Sequence, residues 1–184
     1  RNPGAPFTTS TLQQEANAKL GMSSKATITA AQKLYQSGKI TYMRTDSVNL
    51  SGQAIAAAAD YIKTLYGVDY SQVRKFKTKS SNAQEAHEAI RPTDITREEV
   101  SGSEQRLYDL IRRRTLASQM TPAKLEKTTV TISISTRSEV FEAKGEVIVF
   151  DGFLRVYGGG KEEILPKLQA TNVLRNTQTE ARQV

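Results

Sequence analysis

The sequence predicts an α+β protein with a mainly helical region followed by a β-rich one. Two observations predict this division. Before about residue 125, apolar residues recur at helical spacing between capping residues and glycines. After it, apolar and polar residues alternate with the two-residue period of a half-buried strand. We therefore expect a helical domain over residues 7–125, preceded by a short segment over residues 1–6 and followed by a β-rich segment over residues 126–184.

The first two predicted helices form a pair across a tight turn. The first is expected over residues 12–20 and ends at Gly21, and the second ends at Gly38. Two short helices joined in this way resemble a helix-turn-helix hairpin. Hydroxyl side chains precede both helices, and the candidate N-caps are Thr9, Ser10, Ser23 and Ser24.

Two longer helices complete the helical region. Ser51 is expected to cap a third helix, which is rich in alanine over residues 54–59 and ends at Gly67. A fourth helix over residues 104–120 carries apolar residues on one face. Three consecutive arginines, residues 112–114, are then expected partly on its solvated face.

The β-rich segment is expected to contain several short strands. An Asp-Gly pair at residues 151–152 has the composition of a hairpin turn. One more strand is expected within residues 169–184. The other expected strands cover residues 130–135, 141–144, 146–150 and 153–157.

Composition and charge limit the class of protein. The chain has 184 residues with 26 Lys and Arg against 19 Asp and Glu, which gives a net charge of +7, and it has one His and no Cys. Without Cys, Cys-ligated zinc and thiol catalysis are excluded, and a single His excludes a multi-histidine metal site. Because no apolar run approaches the ~20 residues of a membrane helix, and no signal peptide is visible, we expect no contact with a membrane. The positive charge is compatible with binding phosphate backbones.

One segment between the second and third helices is crowded with polar groups. Residues 40–47 read Ile-Thr-Tyr-Met-Arg-Thr-Asp-Ser. In an extended segment Tyr42 and Arg44 would share a face, so a nucleophilic tyrosine would have a guanidinium beside it to hold phosphate oxygens. The spacing also fits a buried tyrosine with a surface salt bridge between Arg44 and Asp46.

A second segment holds the only histidine. Residues 84–93 read Gln-Glu-Ala-His-Glu-Ala-Ile-Arg-Pro-Thr. On a helix His87 and Arg91 would be neighbours, and Pro92 would end that turn. His87 could donate a hydrogen bond to a phosphate oxygen, or it could be a structural or merely exposed histidine.

Together, these two segments resemble the active-site signature of type IA DNA topoisomerases. The resemblance extends to residues 6–16, Pro-Phe-Thr-Thr-Ser-Thr-Leu-Gln-Gln-Glu-Ala, and to residues 119–123, Gln-Met-Thr-Pro-Ala. It covers about residues 1–160 in the order of the family. Met43 favours the bacterial topoisomerase I branch.

The resemblance implies roles for the polar residues of both segments. Tyr42 matches the nucleophile, which attacks a single-strand DNA phosphate and forms a 5′-phosphotyrosine, so that resealing needs no ATP. Arg44 matches the arginine that positions the scissile phosphate, and His87 matches the histidine that contacts it. The resemblance makes Asp46 a partner for a cation or for His87. Two further motif residues are expected to bridge the histidine segment to the tyrosine segment, namely Glu88 and Arg91.

The resemblance also implies parts of the enzyme that this sequence does not contain. The family binds Mg²⁺ through an acidic cluster in a separate Toprim domain, and no such pattern occurs here. We therefore expect an excised fragment that is inactive alone and holds neither metal nor cofactor. In it, residues 1–6 end an arch segment, residues 7–125 form the catalytic-tyrosine domain, and residues 126–184 form a β-rich portion of the toroid arch.

The complete enzyme is expected to relax negatively supercoiled DNA. Its expected partners are single-stranded and negatively supercoiled DNA together with the remaining domains of the same polypeptide, in the bacterial cytoplasm at the nucleoid. The alternative is a helix-turn-helix DNA-binding module without catalysis, which would have no reason to carry both signatures. A third possibility is a catalytically idle accessory piece, for which the parent gene would encode no acidic magnesium domain upstream.

Overall fold

A computed structural model of the chain describes residues 1–76, 87–100, 102–133, 136 and 138–158. These residues form five α-helices and a two-stranded antiparallel sheet, which confirms the predicted α+β class. The chain divides into two compact units, one formed by Arg1–Leu125 with Ile148–Gly160 and the other by Glu126–Val147 with Lys161–Val184. None of the helices in the described ranges is long and apolar enough to cross a bilayer.

The first helix is α1 (Thr9–Leu20). Its N-cap is not one of the two predicted residues, Thr9 and Ser10, but the residue before them. Its N-cap is Thr8, whose hydroxyl accepts a hydrogen bond from the Thr11 amide, while the Thr11 hydroxyl accepts one from the Thr8 amide. This reciprocal capping box satisfies two backbone donors at the start of the helix. Gly21 ends α1 in the left-handed conformation, as predicted.

Three further helices confirm the predicted ones. They are α2 (Ser24–Gln36), α3 (Gly52–Tyr66) and α4 (Gln105–Ser118). The Ser23 and Ser51 hydroxyls cap α2 and α3 by accepting backbone amide hydrogen bonds of 3.2 and 3.3 Å. A single 3₁₀ turn, Val68–Tyr70, follows α3. Helix α2 packs against α1 in the expected hairpin, and α4 packs against both.

Two apolar clusters fill the first unit. The first joins α1, α2 and α4 to the segments that carry the two motifs, and its fully buried members include Phe7, Leu12 and Tyr108. The second lies where α3 meets the end of α4, and it includes Ile62 and Leu116. Both motif segments therefore contribute residues to the first apolar cluster.

Residues 87–91 are extended, so the helical arrangement considered for this segment is wrong over its described part. The Ile90 amide donates to the Phe7 carbonyl (2.8 Å), and the Arg91 amide donates to the Thr41 hydroxyl (2.9 Å). Because partners from distant segments take up these amides, they are not available for the i→i−4 bonds of a helix.

The expectation of a strand over residues 153–157 is also wrong, because they include a short helix, α5 (Leu154–Tyr157). The preceding Asp-Gly pair is therefore not the turn of a hairpin. Gly152 has a φ of 50°, and a Cβ atom there would collide with the backbone carbonyl of Thr121. The Phe153 amide donates to the same carbonyl (2.9 Å). This close backbone approach starts α5.

The sheet pairs β1 (Lys124–Ser133) with β2 (Val140–Phe150). Strand β2 is continuous and includes both strands predicted between residues 141 and 150. Within the second unit, the ammonium of Lys127 and the carboxylate of Glu146 lie 3.7 Å apart. The strand expected within residues 169–184 falls outside the described residues.

Candidate active site

The tyrosine of the first motif lies on the surface beside a buried methionine. Met43 is 2% exposed and belongs to the first apolar cluster, whereas Tyr42 is 45% exposed. Arg44 is exposed as well, and the backbone bends at Thr41, Met43 and Arg44 instead of continuing as a strand. Met43 therefore anchors the segment, while Tyr42 and Arg44 on either side of it face solvent. The alternative of a buried tyrosine does not hold.

Thr9, the first residue of α1, holds the backbone on both sides of Arg44. Its hydroxyl donates to the carbonyl oxygens of Met43 (2.8 Å) and Thr45 (3.1 Å), and it accepts a hydrogen bond from the Thr45 amide (2.9 Å). The Thr9 amide also donates to the Thr45 carbonyl (2.9 Å). These bonds fix the backbone of Arg44 at the N-terminal end of α1.

An open cleft with a volume of about 520 Å³ brings Arg44, Asp46 and His87 together at this end of α1. The first turn of α1 contains no acidic residue, and the N-terminal end of a helix carries a partial positive charge. Arg44 and α1 thus present positive charge to the cleft, which Asp46 partly offsets. The lining residues are Thr8, Thr9, Ser10, Arg44, Thr45, Asp46 and His87.

The side chains of Arg44 and Asp46 make no ion pair or hydrogen bond within the described part of the chain. The surface salt bridge that the spacing also fits is therefore not present there. A guanidinium can donate two parallel hydrogen bonds to the oxygens of one phosphate, and helix N-termini favour the same ligand. The cleft is thus suited to a phosphate group.

The Tyr42 side chain is not among the groups that line the cleft. Its ring contacts Tyr35 of α2 edge-to-face, with 5.3 Å between the ring centroids and 64° between the planes. Tyr35 is 41% exposed, so the two rings form an exposed aromatic pair. Among the described residues, the Tyr42 hydroxyl has no hydrogen-bond partner. The structure therefore places Arg44, Asp46 and His87 in one cleft. The Tyr42 side chain does not line this cleft, although Tyr42 lies only two residues before Arg44 in the sequence.

Glu88 and Arg91 connect the histidine segment to the start of α3. The Glu88 carboxylate accepts hydrogen bonds from the Arg91 guanidinium and from the amide of Ser51, the N-cap of α3, each at 2.6 Å. Burial alone would raise the pKa of Glu88, but the hydrogen bonds from Arg91 and Ser51 outweigh it and hold this pKa below its usual value. The Arg91 backbone also bonds Thr41, next to the nucleophile candidate. That both residues act structurally stays a prediction.

A magnesium site of the kind implied by the family resemblance would need several carboxylates close together. The described ranges contain no group of three or more His, Asp or Glu side chains placed to hold a metal ion. The described residues therefore do not fit the ion.

Two residues with positions relevant to the site were not singled out from the sequence. The hydroxyl pattern indicates Thr9 only as a candidate helix cap, and neither motif contains Tyr35. The run of four hydroxyl residues over positions 8–11 signals the start of a helix. It carries no information about a partner 36 residues later in the chain.

The comparisons with known proteins point to one family. The sequence profile of the DNA topoisomerase family matches residues 1–184. DNA topoisomerase 1 of Zymomonas mobilis is 52% identical over 160 residues, and that of Synechococcus elongatus is 48% identical over 181 residues. These matches cover 85% and 95% of this chain, but the chain spans only 13% and 20% of the length of those relatives.

A similar fold is found in a solved structure of full-length topoisomerase I from Thermotoga maritima. The TM-score is 0.78 at 34% identity, and the match covers 91% of this chain and 29% of that one. With the family profile matched over the whole chain, and with the helical unit, both motifs and the fold in agreement, the chain belongs to the type IA DNA topoisomerase family, in its bacterial topoisomerase I branch.

Proposed function

We propose that Tyr42 is the nucleophile that cleaves single-stranded DNA in the complete topoisomerase to which this chain contributes. The proposal is carried by one observation: Arg44 and His87, which are distant in sequence, line the same cleft at the positive end of α1. Tyr42 is exposed two residues before Arg44, where its hydroxyl can meet a phosphate from solvent.

The proposed step is a transesterification, in which one phosphate ester bond is exchanged for another. The Tyr42 oxygen loses its proton and attacks the phosphorus of a phosphodiester. A bond forms between phosphorus and the tyrosine oxygen, the bond to the 3′-oxygen breaks, and that oxygen takes up a proton. The result is a 5′-phosphotyrosine and a free 3′-hydroxyl. Because the ester bond is kept, the reverse reaction reseals the strand without ATP.

Arg44 and His87 would hold the non-bridging oxygens of the phosphate that is attacked. Negative charge on these oxygens is greatest as the bonds exchange, so fixed donors act most strongly in the transition state. The bonds of Thr9 to Met43 and Thr45 keep the Arg44 backbone in place while this happens. Asp46, in the same cleft, would orient one of the two phosphate-binding side chains.

The remaining parts of the proposal concern the complete protein. Residues 7–125 would be its catalytic-tyrosine domain, and residues 126–184 would be part of the arch. Between cleavage and resealing, a second strand would pass and negative supercoils would relax. Magnesium, where the complete enzyme uses it, would be held by residues of other domains.

The test is a chimera in which residues 1–184 replace the matching segment of the Synechococcus elongatus DNA topoisomerase 1. We expect it to form a covalent adduct with a single-stranded oligonucleotide, through Tyr42 and the 5′ side of the break. Tyr42→Phe should abolish the adduct, because the ring stays but the nucleophilic oxygen is lost. Denaturing gels and peptide mapping measure the result.

The matched control is Tyr35→Phe. Tyr35 is the neighbouring ring and is almost as exposed, at 41% against 45%. This change keeps the edge-to-face contact and should leave the adduct in place. An adduct that persists in Tyr42→Phe, or that maps to another tyrosine, would contradict the assignment.

A further inference from the structure

A second groove lies between the C-terminal end of α1 and the exposed face of α4. It has a volume of about 320 Å³. Arg106 and Arg113 stand seven residues apart on α4, and Lys19 reaches the groove from α1. All three side chains are exposed. The groove therefore gathers three cations that the reaction at Tyr42 does not use.

The two arginines are not paired with a carboxylate within the part of the chain that the structure describes. Neither guanidinium forms an ion pair within the described residues, and Arg106 makes one hydrogen bond, to the carbonyl of Leu20 (3.3 Å). The groove also contains Asp109, which accepts a hydrogen bond from the Gln105 amide group (3.0 Å) instead of pairing with either arginine. Positive charge therefore exceeds negative charge at the mouth of the groove.

Lys19 is held in a different way from the arginines. Its ammonium pairs with Glu15 (2.8 Å) and lies 3.7 Å from the centroid of the Tyr157 ring. Burial would raise the pKa of Glu15, but hydrogen bonds from Lys19 and Tyr157 and the charge of Arg114 keep it below its usual value. Glu15 is thus ionised near neutral pH and is shared between Lys19 and Arg114, which it contacts at 3.0 Å. These contacts fix the ammonium at the edge of the groove.

The spacing of the arginines suits a nucleic-acid backbone. Seven residues of an α-helix span about 10 Å, at about 1.5 Å per residue. Along the axis of a stacked strand, phosphates that are three nucleotides apart are separated by about the same distance, at ~3.4 Å per nucleotide. A strand lying along α4 could therefore contact Arg106 and Arg113 with two of its phosphates.

The groove is distinct from the cleft that holds Arg44 and His87. Thr9 lines the cleft and Lys19 lines the groove, and they lie ten residues apart on α1, which is about 15 Å. No residue lines both. A ligand in the groove would therefore leave the cleft accessible.

We propose that the groove formed by Lys19, Arg106 and Arg113 is a second DNA site, which binds the phosphate backbone of single-stranded DNA away from the point of cleavage. This second site rests on the proposed function, because its ligand is again DNA. Binding at the groove requires no bond cleavage. The site adds affinity for a strand without reading its sequence, since backbone contacts carry no base information.

The test is binding of a fluorescent oligothymidylate to the 184-residue chain, measured by anisotropy over a range of salt concentrations. The double variant Arg106→Gln/Arg113→Gln should bind about tenfold more weakly at about 0.1 M salt, because two phosphate contacts are lost. Its plot of log K against log salt should be shallower by about 1.4, which is about 0.7 for each contact on a single strand. Both side chains are exposed, so the fold is retained, and circular dichroism checks this.

The matched control is Lys25→Gln/Lys63→Gln, on α2 and α3. It lowers the net charge by the same two units, from +7 to +5, without touching the groove. We expect the affinity to fall by about twofold or less and the salt slope to stay unchanged. Equal effects of the two double variants would show general charge attraction and overturn the proposal.

Two further measurements test where the oligonucleotide binds and which kind of ligand the groove prefers. Bound oligothymidylate should protect Lys19 from acetylation more than Lys25 or Lys63, and equal protection would overturn the assignment. Polyglutamate at the same charge concentration should not displace the oligonucleotide, and displacement would assign the groove to an acidic protein partner instead. None of these binding measurements contains a cleavage step, so a failure here is separable from a failure of the cleavage proposal.

Discussion

At the scale of single residues, Thr9 joins the first turn of a helix to the segment that carries the proposed nucleophile. Its hydroxyl is shared between two carbonyls and one amide on either side of Arg44. A hydroxyl in this arrangement both donates and accepts, which valine, the residue of the same shape, cannot do. We therefore propose that Thr9 is a positioning residue, which would act on the phosphate through Arg44.

We expect Thr9→Val to slow cleavage about 10- to 100-fold, because a displacement of about 1 Å in a group that holds the reacting phosphate has effects of this size. The chimera with the Synechococcus relative is used, and single-turnover cleavage is compared with the dissociation constant for DNA, which should change about twofold or less. Thr9→Ser keeps the hydroxyl and should restore most of the rate.

A double-variant cycle separates positioning from loss of folding. In an Arg44→Ala background, Thr9→Val should add little, because the side chain that it positions is already absent. Independent, multiplying losses would mean that Thr9 does not act through Arg44.

At the scale of elements, the two motifs meet through contacts that no local pattern contains. Helix starts and ends were predictable because their signals are local: Ser51 caps α3, and Gly21 ends α1. The extended form of residues 87–91 was not predictable, because its amides bond residues far away in the chain. The same holds for α5, where Gly152 meets the backbone of Thr121.

The candidate site shows the same division between local and distant information. Tyr42, Arg44 and His87 were singled out from short motifs, and a common cleft for Arg44 and His87 follows from packing. The buried Met43 is what turns its two neighbours outward. Sequence spacing alone could not exclude the salt bridge between Arg44 and Asp46, because an ion pair depends on side-chain directions that the fold decides.

The link between the histidine segment and α3 should weaken in acid. The pKa of Glu88 is held below its usual value, so its ionised form stabilises the fold above the unfolded pKa of about 4.5, and that stability is lost as the pH falls through the lower, folded pKa. We expect Glu88→Gln to lower the free energy of unfolding by about 1–2 kcal/mol near neutral pH, because hydrogen bonds to a charge that is 28% exposed are partly screened by solvent.

Thermal unfolding of the chain from about pH 7 to about pH 3 measures this effect. The difference in melting temperature between the original chain and Glu88→Gln should shrink as the carboxylate becomes protonated. Glu99→Gln, at an exposed residue without an ion pair in the described ranges, serves as the control and should change little. A difference that is constant over the whole pH range would show that the ionised carboxylate is not what links the segments.

At the scale of the whole molecule, both features that are proposed to bind DNA belong to the first compact unit. The cleft at the start of α1 and the groove at its end are formed by residues 1–125 and 148–160. The described part of the second unit instead contributes a strand pair with surface ion pairs, such as Lys144 with Glu142 (3.1 Å). The proposed binding and phosphate positioning are thus both assigned to one compact unit, whereas the chain spans 20% or less of the DNA topoisomerase 1 relatives from Zymomonas mobilis and Synechococcus elongatus.

We therefore expect the 184-residue chain to bind single-stranded DNA but not to cut it. Its charge of +7 favours binding that falls steeply as salt rises. Cutting requires a group that removes the phenol proton, and within the described residues nothing accepts a hydrogen bond from the Tyr42 hydroxyl. Incubation with labelled oligonucleotide and Mg²⁺, followed by denaturing electrophoresis, should show no covalent band. A band that maps to Tyr42 and disappears in Tyr42→Phe would mean that this chain activates its own nucleophile, and the proton acceptor would then have to be sought among its own residues.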